Sequence, residues 1–264
     1  MNVRRYGSGP YTVAVIHGGP GAPGTVAAIA RELSKEYGVL EPIQTKASLE
    51  EQVNELYDVI KNKGELPITL IGHSWGAWLA FIVAAAYPFL VKKIVLVSSG
   101  PFEDKYVQEL EENRLNRLST VEKDEFNDLI AHLNNLHPQK KDEHLARLGE
   151  LVTKSDHYQA IHIPTDEQDI IQVNSDIFQS VWTEASILRK TGSLLALGRK
   201  IKCPVYAIHG NDDPHPAEGV SVPLKKILTN FQFYLLDKCG HTPWKEQYAK
   251  DAFYQIVREI LNRK

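Results

Sequence analysis

Six short runs of the chain are apolar almost without a break: Tyr11–Ile16, Val39–Ile43, Ile68–Gly72, Lys93–Val97, Val205–His209 and Phe231–Leu236. Runs such as Ile-Thr-Leu-Ile-Gly and Lys-Ile-Val-Leu-Val-Ser-Ser read as strands covered on both faces. Between them the apolar positions recur at helical spacing, over Thr25–Tyr37, Ser48–Lys63, Trp75–Tyr87, Pro216–Thr229 and Lys245–Asn262. Strands alternating with helices predict right-handed βαβ crossovers. The fold class is therefore α/β: a mostly parallel sheet of about six strands with helices on both faces. Met1–Arg5 has room for one further short edge strand.

The alternation breaks once. From Pro101 to Leu197 the sequence is charged, His-rich and helical in pattern, with no buried strand. Nearly a hundred residues between two core strands are too many for a loop. Residues 1–100 and 198–264 are thus read as the core, and 101–197 as a helical cap or lid inserted into it.

Composition narrows the function. The chain has 264 residues, 43% hydrophobic and 24% charged, with a net charge of −3. That is the balance of a soluble globular protein, and it predicts no nucleic-acid binding. No apolar run approaches the ~20 residues that span a bilayer, and Val-Ala-Val-Ile near the N-terminus is too short for a secretion signal. The two cysteines, Cys203 and Cys239, sit in no metal or redox spacing and read as reduced thiols of a cytoplasmic protein. No membrane partner, cofactor or metal is expected. The pattern is silent on oligomeric state.

Gly72-His73-Ser74-Trp75-Gly76 carries the first chemical signal. It follows an apolar strand and opens a helical stretch, the context in which a G-x-S-x-G turn lifts a serine hydroxyl above the sheet as a nucleophile. His17-Gly18-Gly19-Pro20-Gly21 follows the first strand. Glycines let backbone N–H groups approach a developing oxyanion, and the N–H groups of Gly19 and Trp75 are the candidate donors. A phosphate-binding reading of this loop fails, because it lacks G-x-G-x-x-G spacing and Pro20 has no N–H.

Downstream lie the acid and the base. Gly210-Asn211-Asp212-Asp213-Pro214 follows the fifth strand, and Asp213 is favoured over Asp212 as the carboxylate that orients a catalytic histidine. Gly240-His241-Thr242-Pro243-Trp244 follows the last strand and presents His241 as general base. The order Ser74, Asp213, His241 suits acyl transfer, with each residue beyond the C-terminal end of a strand. Of the other histidines, His17 and His73 are read as loop supports and His209 as packed in the sheet. His132, His137, His144, His157 and His162 show no metal-ligand spacing. His215, Trp182 and Trp244 are candidate walls of a substrate pocket.

From Tyr11 to the last helix the chain resembles the α/β-hydrolase superfamily. His-Gly-Gly-Pro-Gly with Gly-His-Ser-Trp-Gly resembles its prolyl iminopeptidase-like branch. The resemblance implies that the six strands are the third to eighth of the full fold and that 101–197 is the cap. It also implies acidic cap residues that hold a free amine, for which Glu167, Asp169, Asp176 and Glu184 are candidates. One departure is plain: where that branch carries D-Q-R-G-x-G-x-S, this chain has Glu41-Pro42-Ile43-Gln44-Thr45-Lys46-Ala47-Ser48. The expectation is a serine hydrolase that cleaves a small-molecule ester or amide through an acyl-enzyme. The alternatives are a prolyl iminopeptidase-like aminopeptidase and a non-catalytic ligand-binding protein on a hydrolase scaffold.

Overall fold

A computed structural model describes residues 2–133, 138–163, 166–169 and 171–263. Seven strands form one sheet: β1 (Asn2–Tyr6), β2 (Tyr11–Ile16), β3 (Gly38–Ile43), β4 (Ile68–His73), β5 (Val91–Val97), β6 (Val205–Gly210) and β7 (Phe231–Leu236). Their spatial order is β1-β3-β2-β4-β5-β6-β7. β1 pairs antiparallel with β3, and every other pairing is parallel. The six apolar runs are β2 to β7. β1 is the extra edge strand, half-exposed, and its alternating Val-Arg-Arg-Tyr carries no continuous apolar signal.

The helices of the core are α1 (Ala27–Leu33), α2 (Leu49–Lys63) and α3 (Trp75–Ala86). After β5 come α4 (Val107–Asn116), α5 (Thr120–Leu133), α6 (Pro138–Asp156), α7 (Asp166–Asp169), α8 (Ser175–Lys190) and α9 (Ser193–Ala196). After β6 come α10 (Glu218–Ile227) and finally α11 (Lys250–Asn262). Ser48 caps α2 by accepting from the Glu51 N–H, while its hydroxyl donates to the Glu51 carboxylate, a reciprocal cap.

Alternation along the parallel strands divides the core in two. Ala14, Ile16, Leu40 and Leu70 face α2 and α3 on one side, and Val13, Val15, Val39 and Ile71 face Ile29 and Leu33 of α1 and Phe253, Val257 and Ile260 of α11 on the other. α3 is buried on almost every face, which is why its sequence Trp-Gly-Ala-Trp-Leu-Ala-Phe-Ile-Val-Ala-Ala-Ala is apolar throughout. The helices between β5 and β6 have a small core of their own, with Leu118, Phe126, Leu129, Leu148 and Leu151. Val181 and Ala185 of α8 join the main core and tie this segment to α3.

Lys93 is a charge inside a buried strand, 3% exposed. Its ammonium donates to the carbonyls of Ile260 (2.7 Å) and Leu261 (3.4 Å), and to that of Arg263. A cation at the C-terminus of α11 satisfies carbonyls that lack helical partners and complements the helix dipole. Lys93→Met keeps most of the side-chain volume and removes the donor. It should cost about 2 kcal/mol of stability in urea unfolding, and an unchanged midpoint would refute this role for Lys93.

Candidate active site

Ser74 sits between β4 and α3 with φ 53° and ψ −116°, a conformation a β-carbon strains. The neighbouring glycines make the turn feasible. A β-carbon on Gly72 would lie 2.2 Å from the Gly76 carbonyl oxygen, and one on Gly76 would lie 2.4 Å from the Ile16 carbonyl oxygen. Strand, turn and helix are pressed together so closely that no side chain fits at either position. Trp75 is the first residue of α3, so its N–H has no acceptor within the helix.

The loop after β2 lies directly against this turn. A β-carbon on Gly18 would stand 2.7 Å from His73 Nδ1 and 3.2 Å from Ser74 Cβ. His17 braces the loop from below: its Nδ1–H donates to the Gly18 carbonyl (2.9 Å), and its Nε2 accepts from the Gln44 N–H (3.3 Å). Gly19 follows with φ 55°. In the segment that replaces D-Q-R-G-x-G-x-S, Glu41 is buried in β3 and accepts from the Tyr6 hydroxyl (2.7 Å), and Arg4 approaches the same oxygen to 3.5 Å.

Of the two adjacent aspartates, Asp213 reaches the histidine. His241 Nδ1–H donates to Asp213 Oδ2 at 2.8 Å, and both residues are buried. Asp212 remains part-exposed, with its N–H on the Cys239 carbonyl (2.9 Å). His241 meets the serine turn through His73, whose ring lies 4.9 Å away and whose Nε2–H donates to the His241 carbonyl (3.0 Å). Among the described residues the Ser74 hydroxyl makes no hydrogen bond.

Electrostatics polarises the pair. Burial alone would raise the Asp213 pKa, but the charges of His241, His215 and His209 outweigh it and hold the carboxyl well below its usual range. Burial pulls His241 down, yet the Asp213 carboxylate overrides this and raises its pKa above the ordinary value.

Three features of the site left little trace in the sequence. His215 is no pocket-mouth residue: it is buried, it donates from Nδ1 to Asp213 Oδ1 (2.8 Å), and it stacks on His241. The segment between β5 and β6 grips the His241 loop, since the His241 N–H donates to the Asp156 carbonyl (2.7 Å). Asp156 is itself held by a bidentate pair with Arg114, both contacts at 2.8 Å. Glu246 then gathers the N–H groups of Gly240 (3.1 Å), Tyr158 (3.0 Å) and Gln159 (2.7 Å) on one buried carboxylate.

The other candidates divide. Trp244 is 1% exposed, wedged edge-on against His73 and near Phe253, so it has no free face to offer a ligand. Trp182 is 36% exposed and stacks with Trp78 at 5.7 Å and with Phe178 at 6.3 Å. His157 is tied to Glu246 and Thr242, while His144 bonds its own helix. His137 and the side chains of His132 and Glu167 lie outside the described residues. Ligating atoms of Asp213, His215 and His241 lie within 4.8 Å of one another, close enough to suggest a metal. The arrangement does not suit one. A ring nitrogen binds a metal in its own plane; rings stacked at 16° keep their nitrogens in two nearly parallel planes 4.2 Å apart at the centroids, and both Nδ1 atoms already bond the Asp213 carboxylate.

The model of the alpha/beta hydrolase fold family matches residues 11–247. The chain belongs to that family. Among solved structures, this alpha/beta hydrolase chain is similar to VinJ, at 16% identity and a TM-score of 0.70, over 98% of this chain and 93% of that one. A thermophilic esterase from Thermogutta terrifontis matches at 19% identity and a TM-score of 0.65, over 98% and 92%. E-2-(acetamidomethylene)succinate hydrolase matches at 16% and 0.64, over 99% and 94%. No curated protein matches the chain by sequence. The family match is to the fold at large and does not single out the prolyl iminopeptidase branch. Among the described residues, no helix of this alpha/beta hydrolase is long and apolar enough to cross a membrane.

The buried histidines give the protein a pH-dependent stability. Burial lowers His17 and His215 from 6.5 to about 4, the latter with help from the His241 charge, and lowers His73 well below 6.5. The unfolded chain protonates all three below about pH 6.5. It therefore binds more protons than the folded protein between about pH 6.5 and 4, and stability falls as pH falls through that window. His241 acts oppositely, because its raised folded pKa contributes stability at low pH that is lost as pH rises through that value. Asp213 contributes above about pH 3.8, its unfolded value, and loses this only on further acidification. Three histidines oppose one, so the urea midpoint should drop steadily from pH 7 to pH 4.5. A flat midpoint would mean that these rings are not held neutral.

Proposed function

We propose that the chain is a serine hydrolase acting on a carboxylic ester or amide of a small molecule. The observation that carries this reading is the 2.8 Å bond between His241 and Asp213 beside a serine in a strained turn. Ser74 Oγ attacks the substrate carbonyl as His241 Nε2 takes its proton. The oxyanion forms against the N–H groups of Gly19 and Trp75. Collapse expels the alcohol or amine, which receives the proton from His241. Water then attacks the acyl-serine by the same route and releases the acid. In this scheme Asp213 stabilises the imidazolium without taking its proton.

The acyl or leaving group is assigned as uncharged and apolar. Trp182, stacked with Phe178 and with Trp78, adds exposed aromatic surface beside Trp78, which lies one turn of α3 beyond Ser74. Two of the four carboxylates that an aminopeptidase could turn toward a free amine are engaged elsewhere. Asp169 pairs with Arg31 through both oxygens, and Glu184 accepts from the Leu49 N–H (2.9 Å). The helices between β5 and β6 act as the cap, and the grip of Asp156 and Glu246 on the His241 loop couples that cap to the catalytic base.

Two measurements test the reading. A fluorophosphonate probe should label Ser74, as mapped by mass spectrometry. Short-chain nitrophenyl esters should be hydrolysed faster than aminoacyl anilides. A folded protein that leaves Ser74 unlabelled would overturn the proposal, and a preference for the anilides would restore the aminopeptidase reading.

A further inference from the structure

The Asp213 carboxylate serves two imidazoles. Oδ2 accepts from His241 Nδ1–H at 2.8 Å; Oδ1 accepts from His215 Nδ1–H at 2.8 Å and from the His215 backbone N–H at 2.9 Å. The rings lie face to face, with centroids 4.2 Å apart and planes 16° apart. A serine–histidine–aspartate relay needs one imidazole, so the second calls for an explanation.

An ionised carboxylate only accepts, which fixes the hydrogen of each ring on Nδ1. His215 is thereby a neutral donor with its lone pair on Nε2, and burial together with the His241 charge keeps it so down to about pH 4. Donation to Oδ1 stabilises carboxylate charge that would otherwise be available to the proton on His241.

We propose that His215 is a positioning residue that fixes the plane of the Asp213 carboxylate and weakens its hold on the His241 proton. The catalytic consequence rests on the reading of His241 as general base: a base too tightly protonated cannot accept the Ser74 proton at neutral pH. The stacked ring also confines the His241 imidazole to one orientation.

The other groups around His241 do not supply this effect. His209, on β6, has Nε2 3.4 Å from Asp213 Oδ2, but its better bond is to the His215 carbonyl (2.8 Å). Arg114 from α4 and Asp156 from α6 face the histidine as a closed bidentate pair of opposite charge. His73, from the serine turn, is held neutral by burial and bonds the His241 backbone.

Nitrogen-15 NMR of the histidine rings tests the proposal without relying on turnover. In the wild type His215 should be the neutral Nδ1–H tautomer at pH 6. His215→Phe keeps a flat ring and removes the donor, and should raise the His241 titration midpoint by about half a unit or more. His215→Asn places a side-chain N–H near the lost Nδ1–H and should restore the wild-type midpoint. The acid limb of fluorophosphonate labelling should shift in parallel. An Nε2–H tautomer in the wild type overturns the proposal, as does an unchanged midpoint in His215→Phe or an equal shift in both variants. Should His215→Phe fail to fold, the wild-type tautomer and the His215→Asn midpoint still decide. Absence of labelling in the wild type at every pH would defeat the hydrolase reading instead, while the ring titration still judges His215.

Discussion

Ser74→Ala should abolish fluorophosphonate labelling and lower kcat on the best ester by about 10⁴- to 10⁶-fold. In the proposed mechanism the hydroxyl is the atom that bonds to the acyl group. His73, beside Ser74 in the turn, is buried and neutral, and Gly18 brings only backbone against it. Whatever rate survives comes from binding and from the oxyanion donors, which alanine leaves in place. Stability should change little, because alanine retains the β-carbon that makes φ 53° strained. A variant that keeps a tenth of the wild-type kcat while melting normally would remove Ser74 from the mechanism.

Asp213→Asn should lower kcat/KM by about 10⁴-fold, while Asp212→Asn should stay within about twofold. In the proposed mechanism the carboxylate lets His241 donate from Nδ1 and present a free Nε2 to the serine. An asparagine can satisfy that nitrogen with either its oxygen or its NH2, and the latter selects the wrong tautomer. It also loses the negative charge that raises the His241 pKa. The new amide would still have to meet His215 on its other side, so the variant should also be less stable. Asp212 bonds through its backbone and points no carboxylate at a histidine among the described hydrogen bonds, so its amide should be nearly silent. Equal losses in the two variants, measured on purified folded protein, would refute this division of roles.

The contrast between these neighbouring aspartates shows where legibility ends. Both follow the same strand and both suit a turn, so spacing alone could only favour one. The choice is made by which side chain reaches His241 across 28 positions of sequence. Trp244 and His215 show the same limit. Each stands close to a motif residue, where spacing suggests a pocket wall; one is sealed in the core and the other is bonded to Asp213. Local spacing records that a residue is near a site but not which way its side chain turns.

The sequence by itself determined the α/β class, the positions of six of the seven strands, and the order of serine, acid and histidine loops. These are local properties: an apolar run, a helical period and a glycine-bracketed turn each act over a few residues. For β1 the sequence offers only room for a short edge strand at Met1–Arg5, because an edge strand is paired on one side and need not be apolar. Only the tertiary structure decided that Asp213 bonds two histidines, that Asp156 and Glu246 anchor the His241 loop to helices far earlier in the chain, and that Lys93 closes the end of α11. Each of these joins polar groups far apart in the chain. Their pairing is enforced by the cost of burying a hydrogen-bonding group without a partner, a cost that exists only once the chain has folded.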